Sequence, residues 1–295
     1  MKSTLPFNGQ LLCDELMSKH TSWRVGGKAD NYYIPVDLND LQNYLQSIPN
    51  NADINWVGLG SNMLVRDGGI RGYVISTVNA LREITLCDGG FVYAQAGVTC
   101  AKLAKFCLKN GLTGADFLAG IPGTVGGALA MNAGAFGSEI WSFVTLAEMI
   151  NRQGELINRK TEEFDVHYRR VSQFNNEWFA AARFRFDTRL EQKGSNIKKL
   201  LQQRNASQPI GLPSCGSVFK NPKGQYAAKL IEAAGLKGYC HGNAWVSEKH
   251  ANFIISNAQT SSKDIEGLVE LIQQTVKQKF DVTLETEVRI LGDEL

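Results

Sequence analysis

Short alternating apolar runs fill the first two thirds of the chain, and helical spacing dominates the last third. Strands are predicted at Asn31–Val36, Ile54–Val57, Tyr73–Ser76, Arg82–Leu86 and Phe91–Gln95, divided by Asn, Asp and Gly. Asp37, with Asp40 three residues on, caps a short helix. Thr99 caps another, in which Leu103, Phe106, Cys107 and Asn110 share a face before Gly111 stops it. Two more strands are expected around Phe143–Ile150 and Trp178–Phe186. The polar stretch Thr188–Ser195 has no apolar period and reads as a boundary; helices follow at Ser195–Gln208 and Gln225–Ala234.

The last helix is the most sharply marked. Ser261 and Asp264 form a capping-box pattern, and Ile265, Leu268, Val269, Ile272, Val276 and Phe280 recur on one face. A terminal strand then sets Val282, Leu284, Thr286, Val288 and Ile290 against Thr283, Glu285, Glu287 and Arg289. The apolar side suits a core, which leaves two carboxylates and a guanidinium projecting from the other.

Composition narrows the function classes. The 295 residues suffice for two or three compact units, with 43% apolar and 20% charged residues, as in ordinary globular proteins. A net charge of +2 makes no case for nucleic acid, so an anionic ligand must be held by local chemistry. The six cysteines include no C-x-x-C pair and read as free thiols of a reducing compartment; Met1–Gln10 shows no signal-peptide run. The four histidines, His20, His167, His241 and His250, lack metal-ligand spacing, and no metal is expected. Phe117–Gly137 carries no charge, but its six glycines and Pro122 argue against a membrane span. It reads as a loop that lets something approach the backbone, in a soluble protein.

Three segments carry candidate chemistry. Gly58-Leu59-Gly60-Ser61-Asn62 ends a strand, where glycines permit a sharp turn and backbone N–H groups can face an anion. It lacks the third glycine of a dinucleotide fingerprint and the Walker lysine, and a plain tight turn explains it as well. Gly120 to Ala135 is permissive for longer than a turn needs; it suits a flat apolar ligand with a diphosphate at one end, or a glycine-rich helix packed on a neighbour. Pro213 to Pro222 displays Ser217 after Gly216, without the Gly-x-Ser-x-Gly elbow of an acyl-transfer serine. Cys215 beside it has no histidine context as a nucleophile. Arg169, in Val166-His167-Tyr168-Arg169-Arg170, and Glu287 suit exposed salt bridges by type alone.

In this order and spacing the segments closely resemble the UDP-N-acetylenolpyruvoylglucosamine reductases, from His20-Thr21-Ser22-Trp23-Arg24-Val25-Gly26-Gly27 through to His250-Ala251-Asn252-Phe253-Ile254 and Leu284 to Arg289. The resemblance implies an α+β chain: an FAD-binding fold of the vanillyl-alcohol-oxidase type over residues 1–188, in two subdomains of roughly 1–80 and 81–188. A C-terminal α+β substrate-binding domain would span 189–283, with 284–295 returning as a strand to the flavin site. Thr188 to Ser217 is short, which resembles the form of the family without an inserted tyrosine loop.

The resemblance further implies non-covalent FAD, NADPH as hydride donor, and reduction of the enolpyruvyl ether of UDP-N-acetylglucosamine. It implies a bacterial cytoplasmic enzyme of peptidoglycan precursor synthesis, with small-molecule partners only. Gly58, Gly60, Ser61 and Asn62 match the diphosphate loop. Pro122, Gly123, Gly126, Ala130, Asn132, Ala133 and Gly134 match the flavin-lining segment, and Arg289 a second flavin contact. Arg169, Ser217 and Glu287 match the catalytic positions, with Ser217 as proton donor; Asn221 and His250 match substrate contacts. Two rivals stand beside this reading. A flavin oxidase of the same fold would lack the Gly216-Ser217 segment with Glu287, and a nucleotide-binding module without redox chemistry would need the glycine loops alone.

Overall fold

The computed structural model describes residues 7–172, 174–188 and 196–295. The chain forms two compact units, and it passes between them several times. One comprises residues up to Leu12, Tyr32–Gly58 and Tyr73–Gln203; the other comprises Cys13–Asn31, Leu59–Gly72 and Arg204–Leu295. Two stretches from the first quarter of the chain therefore group with its C-terminal part. The division passes through the Gly58–Asn62 loop.

Strands β1 (Gln10–Leu16), β2 (Lys28–Ile34), β3 (Ile54–Val57), β4 (Met63–Val65), β5 (Ile70–Ser76), β6 (Ile84–Cys87) and β7 (Phe91–Gln95) open the fold. The first sheet runs β1-β2-β5-β3, with β3 parallel to β5 from Ile54–Tyr73 to Val57–Ser76. Helix α1 (Leu38–Ser47) starts at Asp37, whose side chain accepts from the Asp40 N–H. Asp40 itself turns to the Tyr33 hydroxyl (2.6 Å) and the Val36 N–H (3.0 Å). Tyr33 lies flat on Tyr44, so one carboxylate fixes both the helix start and an aromatic pair in the core.

A five-stranded antiparallel sheet follows, ordered Leu156–Lys160, Val144–Asn151, Glu177–Arg185, β7, β6. Helix α2 (Cys100–Lys109) is capped by Thr99 and buries Leu103, Ala104 and Cys107. Those side chains share a core with Val92, Ala94, Met149 and Phe184 of the sheet. Asn110 is exposed, so the face expected from periodicity ends one turn early. The glycine-rich stretch is not a continuous loop. Its centre is a seven-residue helix, α3 (Val125–Met131), capped by Thr124. Gly126 allows the close packing: a Cβ there would lie 2.8 Å from the Cβ of Ala96. The backbone does come close to something at that point, and it is the protein's own strand end.

The boundary expected at Thr188–Ser195 falls, beyond Thr188, outside the described residues. Helices α4 (Ile197–Ser207) and α5 (Ala227–Ala233) lie where periodicity predicts them. Helix α6 (Ser262–Phe280) has the expected capping box, with Ser261 Oγ accepting from Asp264 N–H and Asp264 Oδ2 from Ser261 N–H. Asp67 accepts from the next two amides, Ser262 and Lys263, so the start of α6 is fully satisfied. The buried face carries Ile265, Leu268, Val269, Ile272 and Val276, each worth roughly 1.5–3 kcal/mol on burial.

The C-terminal segment keeps its expected alternation, with Leu284 and Val288 buried and Glu285 and Arg289 exposed. Only Arg289–Leu291 forms a ladder, parallel to β4. No helix of the described residues is long and apolar enough to cross a membrane. Ser261→Ala should lower stability by about 1 kcal/mol through loss of the α6 cap, read as a lower urea midpoint with an unchanged m-value.

Candidate active site

In the first unit the candidate residues gather around α3. Gly58 ends β3 against the α3 cap: a Cβ there would lie 2.5 Å from Thr124 Oγ1. The entry to α3 is tied down by Cys100 N–H to Gly123 O (2.9 Å), Val125 N–H to Val98 O (2.7 Å) and Gly126 N–H to Ala96 O (2.9 Å). At the far end Asn132 adopts the left-handed conformation, φ 49°. Its amide donates to Glu139 Oε2 (2.8 Å) and to the His167 carbonyl (3.1 Å), and its Oδ1 accepts from Trp141 N–H. Asn132 is buried, and its side chain is spent on shaping the turn that carries Ala133 and Gly134.

That turn holds Arg169. The hairpin Val166–His167/Arg170–Val171 makes Tyr168 and Arg169 its two turn residues, and Arg169 takes φ 54°. The guanidinium donates to Asn132 O (3.0 Å) and Gly134 O (2.9 Å), pairs with Glu139 at 3.4 Å, and lies 4.8 Å from the Tyr168 ring. A left-handed arginine costs on the order of 1–3 kcal/mol, so its neighbours must over-determine the geometry, and these contacts do. Arg170, which has no reading from sequence, pairs with Asp165 at the surface.

The second unit collects the rest. Gly60, at φ 59°, is buried against the His20 carbonyl, where a Cβ would lie 1.9 Å from the oxygen. The Gly60 carbonyl accepts from Ser22 N–H (3.0 Å). The backbone N–H groups of Leu59, Gly60 and Ser61 have no acceptor among the described residues. Consecutive unpaired amides at a left-handed glycine make an anion nest, and unsatisfied backbone donors demand a partner. This donor set fits a diphosphate.

Asn62 ties the same loop to the C-terminal segment. Its side chain donates to the Glu287 carbonyl (3.1 Å), and its own carbonyl accepts from Arg289 N–H (3.1 Å). Glu287 N–H in turn donates to Val218 O (2.8 Å), and Phe219 bridges to Thr286. The structure thus brings together Asn62, the residue after Ser217, Glu287 and Arg289. Ser217 follows Gly216, at φ 73°, and is half-buried, its hydroxyl without a partner among the described residues.

Asn221 is exposed and accepts from Ala227 N–H (3.0 Å) at the start of α5, a structural contact that periodicity does not reveal. His250 packs edge-on to Phe253; burial lowers its pKa, which keeps the ring neutral at pH 7. Cys215 is buried, its thiol facing the Gly60 (3.6 Å) and Met63 (3.3 Å) carbonyls, and burial pushes its pKa up to about 12. It is no nucleophile. Among the described residues no three His, Cys, Asp or Glu side chains group as metal ligands.

Sequence reasoning assigned no role to Thr124, Glu139 and Asn252. Thr124 and Asn252 lie inside motifs already singled out, and Thr124 caps α3 locally. Glu139 acts through its contacts with Asn132 and Arg169, which no local pattern marks.

Comparison with known proteins gives the class first. A family described as FAD binding domain matches residues 29–159, and one described as UDP-N-acetylenolpyruvoylglucosamine reductase, C-terminal domain, matches 208–291. The protein is an FAD-dependent oxidoreductase. UDP-N-acetylenolpyruvoylglucosamine reductases of Coxiella burnetii (strain Dugway 5J108-111) and Methylococcus capsulatus are each 50% identical to it. The first covers 96% of either chain, the second 99% of this chain and 96% of its own. The crystal structure of the enzyme from Thermus caldophilus superposes with a TM-score of 0.80 at 27% identity, covering 97% of this chain and 99% of that one. The chain belongs to the UDP-N-acetylenolpyruvoylglucosamine reductase family.

Gly60→Ala should abolish FAD retention through desalting, read as loss of visible flavin absorbance in protein that still unfolds cooperatively. At pH 8, thiol reagents should label the exposed Cys13 and Cys240 first. Cys100, Cys107 and Cys215, with pKa values near 12, should react only on unfolding.

Proposed function

We propose that the protein catalyses NADPH-dependent reduction of UDP-N-acetylglucosamine enolpyruvate to UDP-N-acetylmuramate, a step of bacterial peptidoglycan precursor synthesis in the cytoplasm. The observation that carries this is half identity over essentially the whole length of two reductases named for that substrate. The match at 29–159 supports an FAD-binding part over residues 1–188, and that at 208–291 a substrate part over 189–283; the return of 284–295 to the flavin site completes the proposal.

When bound, FAD would supply the chemistry of hydride transfer from NADPH to the terminal enol carbon of the sugar. The unpaired amides of Leu59, Gly60 and Ser61 hold the diphosphate without needing a lysine. Residues 122–134 line the ring through backbone and small side chains: Pro122, Gly123, Gly126, Ala130, Ala133 and Gly134. Asn132 shapes that segment through its bonds to Glu139, His167 and Trp141. Arg289 adds a cation on the exposed face of the C-terminal strand.

Hydride addition leaves negative charge on the carbon beside the substrate carboxylate, and the protein must hold that charge and supply one proton. Arg169 supplies the fixed positive charge, its orientation set by two carbonyls before any substrate arrives. Ser217 supplies the proton: a weak acid suffices, because the acceptor is a carbanion. Glu287 polarises the enolate or orients Ser217, whose neighbour Val218 shares a backbone bond with it. His250, neutral, and Asn221 contact the sugar nucleotide. The reaction involves small molecules alone and calls for no nucleic acid, membrane or obligate protein partner.

The deciding experiment is anaerobic. NADPH should bleach the flavin, and the enolpyruvyl nucleotide sugar should restore its colour; flavin that stays bleached would overturn the assignment. Ser217→Ala should bleach normally yet re-oxidise about 10²–10⁴ slower, the range for a lost acid–base group. Glu287→Gln should slow the same half by roughly 10²–10³. Equal slowing of both halves in either variant would make that residue structural.

A further inference from the structure

We infer that Asn252 is a positioning residue for the proton-transfer step, holding both Ser217 and Glu287 through the dipeptide between them. The inference rests on the reading of Ser217 as proton donor. Asn252 is buried, and it grips Phe219 from both sides. Its Oδ1 accepts from Phe219 N–H (3.0 Å) and its Nδ2 donates to Phe219 O (2.8 Å). Its own carbonyl accepts from Val218 N–H (2.9 Å). The remaining backbone group of the pair, Val218 O, accepts from Glu287 N–H (2.8 Å). Asn252 therefore satisfies three of the four polar groups of Val218–Phe219, and Glu287 the fourth.

Both side chains of the dipeptide are fully buried in the core of this unit, so the grip has a rigid backing. Lys220 N–H to Glu285 O (2.9 Å) and the Phe219–Thr286 bridge extend the same frame toward the C-terminal segment. Ser217 hangs directly on this frame, after a left-handed glycine whose surroundings are open: nothing lies within 4 Å of a Cβ built on Gly216. Beyond Gly216, Cys215 is buried with its thiol against the Gly60 and Met63 carbonyls, so the chain is held on that flank by packing. On the Val218 flank it is held by the hydrogen bonds of Asn252, which therefore help to set the hydroxyl's placement. An amide is the one side chain of this size that offers both an acceptor and a donor to a single residue's N–H and C=O.

The test uses the FAD-loaded full chain and single-turnover half-reactions. Asn252→Ala should leave bleaching by NADPH within about threefold of wild type. Re-oxidation by the enolpyruvyl sugar should slow on the order of 100-fold, the scale expected when a reacting group is misplaced by about an ångström. Asn252→Asp keeps the acceptor for Phe219 N–H and should show the same pattern more weakly. In the Ser217→Ala background the further penalty of Asn252→Ala should shrink below about tenfold, because much of what it positions is gone. A merely structural asparagine would slow both halves, or would add its full penalty in that background; either result overturns the inference. So would an Asn252 variant that cannot load FAD. Should Ser217→Ala be slow while Asn252→Ala is normal, only the inference falls. If Ser217→Ala is itself normal, the proton-donor role falls with it.

Discussion

The hydrogen bond from the Asn62 side chain to the Glu287 carbonyl joins positions 225 residues apart and ties a glycine loop to the C-terminal segment. Parallel pairing of β4 with Arg289–Leu291 continues the same seam. Without it, the unpaired amides of Leu59 to Ser61 and the acid at Glu287 would belong to independently moving pieces. With it they share one frame, and Val218 joins that frame through Glu287 N–H. An asparagine suits this place because its amide can donate to the Glu287 carbonyl without placing a charge there.

The other unit solves a different problem, that of holding a cation still. Arg169 sits at a hairpin turn in a conformation disfavoured for its type, and its guanidinium is clasped by carbonyls of a turn that Asn132 itself shapes. Glu139 reaches both Asn132 and Arg169, so one carboxylate coordinates the turn and the cation. Pre-set geometry of this kind removes the reorganisation cost that a flexible surface arginine would carry.

Local rules were legible wherever they were sufficient. Asp37, Thr99 and Ser261 mark helix starts because capping is a matter of a few neighbouring atoms. The alternation from Val282 to Ile290 reports burial faithfully, although most of that stretch forms no ladder, since burial depends on side-chain direction and not on a neighbouring strand. The glycine run reads first as a loop because propensity weighs Gly126 and Gly127 against helix; the Thr124 cap and the Ala96 contact decide for the alternative, a glycine-rich helix packed on a neighbour. The settings of Ser217 and Asn132 were not legible at all. They depend on Asn252, Glu139 and His167, chosen by the fold rather than by any spacing.

The interleaving of the two units bears on how the chain can be made. Because the second unit draws on Cys13–Asn31 and Leu59–Gly72, those segments must wait during synthesis for Arg204–Leu295. Residues 63–65 are made early, yet their partner strand follows only after the whole of the intervening chain. A nascent chain in this position holds an exposed strand edge for most of its translation. A stop codon before residue 289 would remove that partner strand and leave β4 unpaired, however complete the flavin-binding segments are.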